Sequence, residues 1–343
     1  ETFEAVLEDG SMQIRVLDYV PYLCTAVHAG NQLRTDLISN CRLGSVQRYL
    51  EEDPYTGDLI DSFPITLVGC DSRYEYDLNR APDLCVYESA WGEDVWKQPL
   101  SDEQKVISLA KHHCYYRIMA VLLGKLGSRF GSCLVFDIHS YNHKTREYDQ
   151  PPVFNLGSYQ IDMRRWSKLV YSFEKKLAAI NIPNEKTTVA IDKVFQGRGY
   201  QASFIKKNFP KFLTIPLEIK KIYMDERTGE VFPIVLERLH SGIHRAVIDT
   251  AAAFNHKLGG NRLNRLSMLP ANLDPLVVQV DNALYKLARG IETLNYVNPI
   301  NLQQEKRRFF SRRGYEPIFQ YRQLRIDPYD FREKLYKLPV SQI

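Results

Sequence analysis

A three-layer α/β/α architecture is the fold class this chain predicts, and three observations point to it. Short apolar runs at 22–27, 132–136 and 212–219 are bounded by turn-forming or polar residues, as buried strands are. Long amphipathic stretches of helical period separate them. Strand and helix therefore alternate, which places a sheet between helical layers.

Each element has its own local reason. The run at 22–27 ends at His28, and Gly30 lets the backbone turn away. Glu51, Glu52 and Asp53 precede Pro54, which ends a helical pattern and leaves carboxylates on a loop. Residues 73–80 read as strand-like, bracketed by Arg73 and Arg80. Ser101, followed by Asp102 and Glu103, starts a helix that runs to about Lys125, with Gly127 or Gly131 to cap it. His112 and His113 on that helix face about 100° apart, so they do not share a metal and read as supporting or surface residues. The run at 132–136 leads into Asp137-Ile-His-Ser-Tyr141, and the run at 212–219 is interrupted by Glu218. Further helices are expected at 163–179 and 238–258, with a hairpin turn at 225–229 before the last. Gly259, Gly260 and Asn261 mark a boundary, giving a domain at 1–258 and an extension at 259–343, mainly helical through a segment at 281–294.

A chain of 343 residues suffices for one large domain with an appendage. Its 44% hydrophobic and 25% charged residues exclude intrinsic disorder. The formal charge of +4 is mild, and the densest basic cluster, Lys306 to Arg313, is spaced by Phe309 and Phe310 as a solvated helix with an aromatic inner side would be. No nucleic-acid partner is expected. Cys24, Cys41, Cys70, Cys85, Cys114 and Cys133 show no Cys-x-x-Cys spacing and read as buried thiols of a reducing compartment. No run approaches the roughly 20 apolar residues of a membrane span and no signal-peptide pattern is evident, so the expected location is cytoplasmic with no membrane partner.

The candidate site collects at the strand ends, where open α/β sheets place functional side chains. His139 follows one apolar run and His28 another, the alternative for either being a core histidine bonded to backbone. Two imidazoles and a carboxylate form a common catalytic zinc set with a fourth position open. Asn79 beside Arg80 suits a bidentate grip on a carboxylate, the alternative being a surface strand with an Asp77 to Arg80 ion pair. Glu218 must be paired, hydrated or functional. Beside a zinc-activated water it is a general base; otherwise Lys220, Lys221 or Arg198 pairs with it.

In this order the motifs resemble those of the N-formylglutamate amidohydrolases, zinc hydrolases related in fold to metallocarboxypeptidases and aspartoacylase. The pieces are Val-His-Ala-Gly at 27–30, Asp53 with Leu59 after it, Ser-Arg-Tyr-Glu-Tyr-Asp-Leu-Asn-Arg at 72–80, Asp-Ile-His-Ser at 137–140, and Leu-Glu-Ile at 217–219 running on to Tyr223-Met-Asp-Glu226. The resemblance implies a mixed central sheet of the phosphorylase/hydrolase-like, zinc carboxypeptidase-like kind. It implies His28, Asp53 and His139 as metal ligands, with Glu52 as the substitute for Asp53 if the register shifts by one. It further implies Glu218 as general base and Arg73 polarising the scissile carbonyl or holding the substrate. Asn79 and Arg80 would sit on the substrate carboxylate, with Arg198 of Gly197-Arg-Gly199 reaching the substrate. Two departures stand out: the first ligand lacks the Pro-His-Ser/Thr-Gly of many members, and position 31 is Asn where the carboxypeptidases have Glu. The segments at 298–306 and 319–327 resemble the opening of a zinc-peptidase-like domain found fused behind such modules, some called flavohemoglobin expression-modulating proteins, without its metal helix.

The expected activity is zinc-dependent (Zn2+) hydrolysis of an N-acyl amino acid such as N-formylglutamate, a small-molecule substrate. Two rivals stand beside it: a carboxypeptidase-like peptide hydrolase, and a regulatory module that kept the fold without turnover.

Overall fold

The computed structural model describes residues 2–259 except 91, 145 and 147. The expected appendage, with its helix at 281–294 and its basic cluster, lies outside these residues.

The described residues form ten strands: β1 (Phe3–Val6), β2 (Met12–Val16), β3 (Tyr22–Ala26), β4 (Ile65–Gly69), β5 (Ser89–Ala90), β6 (Glu93–Asp94), β7 (Leu134–Tyr141), β8 (Phe154–Leu156), β9 (Val189–Ile191) and β10 (Leu213–Lys220). The helices are α1 (Thr35–Ile38), α2 (Ser45–Glu51), α3 (Thr56–Leu59), α4 (Asp102–Phe130), α5 (Met163–Ala178), α6 (Tyr200–Asn208) and α7 (Pro233–Lys257). Eight strands make one sheet in the order β1-β2-β4-β3-β7-β10-β8-β9, and β5 and β6 pair separately. The sheet is mixed: β4, β3, β7 and β10 run parallel, while β2 joins β4 and β8 joins β10 antiparallel.

Both faces of the sheet are covered, so its central strands are apolar without alternation. Every residue of β3 and of β7 is buried. On one face Phe136 packs on Phe173 of α5, and Trp166 of α5 stacks on Phe254 of α7, at ring separations of 5.3 and 5.2 Å. On the other face Gln201 of α6 donates to Thr25 of β3, and Tyr115 of α4 donates to Gln201, at 2.7 and 2.8 Å. Helices α5 and α7 therefore lie on one side and α4 and α6 on the other, the three layers anticipated.

Helix α4 starts and stops where its signals predict. Ser101 accepts from the Gln104 amide and the Gln104 side chain accepts from the Ser101 amide, a reciprocal cap, and Gly131 closes the helix at φ 75°. Two expectations are corrected. Residues 73–80 form turns, not a strand. The pentapeptide 137–141 lies inside β7 rather than beyond its end. Helix α7 begins at Pro233, ahead of the expected start at 238, because proline's fixed φ suits the first helical turn.

Candidate active site

Sheet register builds half of the site. In β7 successive side chains alternate faces, so Asp137, His139 and Tyr141 share one face. His139 is the Cα partner of Glu218 on β10, and Glu218 is the partner of Asn155 on β8. Paired residues point to the same side, so an imidazole, a carboxylate and an amide stand in a row on the face covered by α4 and α6.

Two loops supply the rest. His28 leaves the end of β3, and Gly30 follows because a Cβ there would sit 2.0 Å from the Cys70 backbone. Asp53 follows α2; its amide donates to the His28 carbonyl at 3.0 Å, which ties the two loops together. The buried Lys221 ammonium donates to the carbonyls of Leu50 and Glu52 at 2.8 and 2.5 Å, closing the C-terminal end of α2 and locating the next residue. Tyr223 donates to the Pro54 carbonyl at 2.7 Å from the other side.

The result brings His28, Asp53 and His139 into one buried group whose ligand atoms lie within 4.8 Å of one another. The ring centroids are 5.2 Å apart. Asp53 Oδ2 faces both rings, 3.4 Å from His28 Nδ1 and 3.2 Å from His139 Nδ1. Behind His28, Nε2 lies 2.7 Å from Asp77 Oδ1; behind His139, Nε2 lies 3.1 Å from Asp137 Oδ1.

These contacts fit a metal. A carboxylate only accepts, so Asp77 takes the Nε2 proton of His28, and a neutral ring then turns a lone pair at Nδ1 toward Asp53. That buried Nδ1 makes no hydrogen bond. Two lone-pair atoms 3.4 Å apart repel unless a cation lies between them. Four ligands at about 2.0–2.1 Å from zinc stand about 3.3–3.4 Å from each other in a tetrahedron, close to the 3.2 and 3.4 Å separations here. A carboxylate behind each ligating imidazole is the usual support of such sites.

Charge in the site is strongly perturbed. Burial opposes ionisation of Asp53, but its close contacts with His139 and His28 outweigh it and hold its carboxyl far below the usual range. Burial also works against charge on Asp77, and the Arg73 guanidinium and His28 overcome it. Glu218 goes the other way: burial raises its carboxyl to about 7, with His139 pulling against that. Burial raises Glu52 to about 8. Its carboxylate accepts from Ser72 Oγ at 2.5 Å and from the Arg73 amide at 3.2 Å, so it is Asp53 and not Glu52 that stands between the rings.

The cations proposed to pair with Glu218 are engaged elsewhere. Lys220 pairs with Glu185 at 2.6 Å, Lys221 caps α2, and Arg198, exposed, stacks 4.5 Å over the Tyr159 ring. Asp77 does not pair with Arg80 either. It takes Arg73 Nη2 at 2.7 Å, the Asn79 amide at 2.6 Å and the Tyr87 hydroxyl. Asn79 packs against Gly199, where a Cβ would fall 2.1 Å from its Oδ1, and that buried Oδ1 makes no hydrogen bond. Arg80 is exposed, and its carbonyl is held by His112 Nε2 at 2.9 Å. His112 is therefore a buried support, whereas its neighbour His113 is exposed, as their angular separation requires.

Residue typing missed Asp77, Asp137, Asn155 and Lys221. Asp137 had a signal: two residues before His139 in a strand, it shares that face. It in turn accepts from Thr25 Oγ1 at 3.0 Å, at the end of the chain through Gln201 and Tyr115. The other three act through partners distant in sequence.

A family model described as N-formylglutamate amidohydrolase matches residues 20–224. Among solved structures, the N-formylglutamate amidohydrolase from Ralstonia eutropha shares the fold at TM-score 0.56 and 17% identity, over 71% of this chain and 96% of that one. A gene product of Agrobacterium tumefaciens does so at TM-score 0.53 and 14% identity, over 70% and 95%. A metallocarboxypeptidase from Burkholderia cenocepacia overlaps at TM-score 0.35 and 13% identity, over 74% and 65%. No curated protein matches significantly. Among the described residues no helix is long and apolar enough to cross a membrane.

Proposed function

Since the chain belongs to the N-formylglutamate amidohydrolase family and is a hydrolase of that kind, we propose that it cleaves the amide of an N-acyl amino acid with the help of zinc bound by His28, Asp53 and His139. The observation that carries this reading is Asp53 Oδ2 facing the Nδ1 atoms of two buried histidines, with Glu218 in register beside His139. Zinc there would supply Lewis-acid activation of water and of the scissile carbonyl.

The chain's own groups do the rest. Arg80 and Asn79 hold the substrate α-carboxylate, Arg80 by its exposed guanidinium and Asn79 from its place against Gly199. Arg198, stacked on Tyr159 and next in sequence to the Gly199 that meets Asn79, reaches the same carboxylate end. Glu218, with a carboxyl poised at about 7, takes the proton of the attacking water and hands it to the departing amine nitrogen. Arg73, fixed on Asp77, adds positive charge for the developing oxyanion.

The test pairs two variants with elemental analysis. His139→Ala loses the metal and the activity together. Glu218→Gln keeps the metal and loses turnover of N-acyl amino acids. A Glu218→Gln protein with undiminished activity removes that residue from the reaction, and a wild-type protein that binds zinc yet hydrolyses no N-acyl amino acid favours the regulatory rival.

A further inference from the structure

Three aromatic rings gather beside Glu218 and have no part in the reaction described so far. Tyr141 lies two residues past His139 on the same face of β7 and is the Cα partner of Lys220. Its ring is 5.4 Å from Phe195 and 5.9 Å from Tyr148, and Tyr148 is 6.2 Å from Phe195. Phe195 is placed there by Asn155, the strand partner of Glu218. The Asn155 amide donates to the Phe195 carbonyl at 2.7 Å and its Oδ1 accepts from the Val194 amide at 2.8 Å. The segment is pinned further along by the contact of Gly197 with Gly157 and by the Tyr159 backbone amide donating to the Gln196 carbonyl at 2.9 Å. Tyr148 is 37% exposed, so the cluster has an open side.

The two ends of the site differ in chemistry. On one side, beyond His28, come Asp77, Asn79 and Arg80, the carboxylate end. On the other, beyond His139 and Glu218, come the rings, and then Arg146 paired with Glu51 at 2.8 Å. Burial raises the hydroxyl pKa of both Tyr141 and Tyr148, and the Glu218 charge adds to it in each, against the Arg146 charge in Tyr148, which agrees with that closeness. A substrate with its α-carboxylate on Arg80 and its carbonyl over the ligand trio extends its acyl group toward the rings. A formyl hydrogen leaves them uncovered.

Resting on the amidohydrolase reading, we propose that Tyr141, Tyr148 and Phe195 form an apolar acyl subsite, and that the group removed is an apolar acyl chain or ring larger than formyl. The contribution is the ordinary one of apolar surface removed from water, with aromatic contacts added.

The experiment compares N-formyl-, N-acetyl- and N-phenylacetylglutamate as substrates of the full chain loaded with zinc. The kcat/KM for the phenylacetyl compound exceeds that for the formyl compound by about tenfold or more. Tyr148→Ala, a change on an exposed side chain that spares the core, and Phe195→Ala each reduce that ratio severalfold. A wild-type preference for formyl, or a ratio unmoved in both variants, overturns the subsite while leaving the hydrolase reading in place. Calorimetric binding of the same compounds to Glu218→Gln separates the two ideas. Tighter binding of the phenylacetyl compound, with no turnover of any compound by the wild type, supports the subsite and sinks the hydrolase reading. Binding no tighter than the formyl compound sinks the subsite.

Discussion

Replacing Asp77 by Asn tests the claim that this carboxylate sets the proton on His28. Asp77 accepts four donors: His28 Nε2 and the Asn79 amide on Oδ1, Arg73 Nη2 and the Tyr87 hydroxyl on Oδ2. An asparagine of the same shape has one acceptor and one NH2, so whichever way it turns, two of those donors lose their acceptor. With NH2 toward His28, the ring must accept at Nε2, and its proton moves to Nδ1, the atom that faces Asp53. That tautomer cannot ligate. With NH2 toward Arg73, the buried guanidinium loses its charge partner and His28 keeps a weaker, neutral one. Loss of such support costs about 10–100-fold in metal affinity, or about 1.4–2.7 kcal/mol. The assay is competitive titration of zinc against a chelator, read beside thermal unfolding of the metal-free proteins to separate a weakened site from a weakened fold. Zinc affinity within about twofold of wild type would refute the reasoning, because His28 would then hold its tautomer without Asp77.

Three further outcomes are expected. Arg80→Ala, on an exposed side chain, raises KM for N-acyl amino acids by about 10–100-fold, the worth of a charge-assisted hydrogen bond, with a smaller change in kcat; an unchanged KM would remove Arg80 from carboxylate binding. Lys221→Met keeps the stem but strips the donor from the Leu50 and Glu52 carbonyls, costing about 1–3 kcal/mol for each group left bare, visible as a lower unfolding midpoint and weaker zinc binding. Burial pushes His112 down to about 4, so in the folded protein it stays neutral while the unfolded chain protonates below about 6.5, and its stabilisation is present above that pH and lost as pH falls toward 4. The stability gap between wild type and His112→Gln, measured by urea unfolding in one metal state, should therefore narrow by roughly 2 kcal/mol from pH 7.5 to pH 5; a constant gap contradicts a buried neutral ring.

The strands and helices that pack on both sides were legible because burial writes a local pattern. The runs at 22–27 and 212–219 and the cap at Ser101 needed only neighbours in sequence. Residues 73–80 misread as a strand because Arg73, Tyr74, Glu75 and Tyr76 alternate in polarity, yet side chains from elsewhere hold them in turns. Ser72 is tied to Glu52, Asp77 to His28, and Tyr76 to Asp71. The choice between Glu52 and Asp53 was equally closed to sequence, since two adjacent carboxylates at a helix end differ only in direction. What decides it is Lys221, far along the chain, which fixes where α2 stops. The same distance in sequence hid Asp77 as a partner of His28.

Precision in this site comes from two sources with different tolerances. His139 and Glu218 sit on adjacent parallel strands whose register holds over eight residue pairs, from Leu213 opposite Leu134 to Lys220 opposite Tyr141. A slip of one residue would turn Glu218 to the opposite face, into the layer of α5 and α7, so the buried sheet itself fixes the spacing of the proposed base and the proposed ligand. His28 and Asp53 have no such ladder. Their positions rest on a few separate bonds, from the Asp53 amide to the His28 carbonyl and from Lys221 to the two carbonyls at the end of α2, and on the carboxylate of Asp77. Substitutions of the other side chains in these strands should therefore act on the spacing of His139 and Glu218 only by disturbing the fold, whereas substitutions at Asp77 and Lys221 should detune metal binding in a protein that still folds. The departure at the first ligand, Val27 and Ala29 in place of proline and a hydroxyl, falls in this adjustable half, where Asp77 and the Asp53 amide already hold the imidazole and the His28 carbonyl.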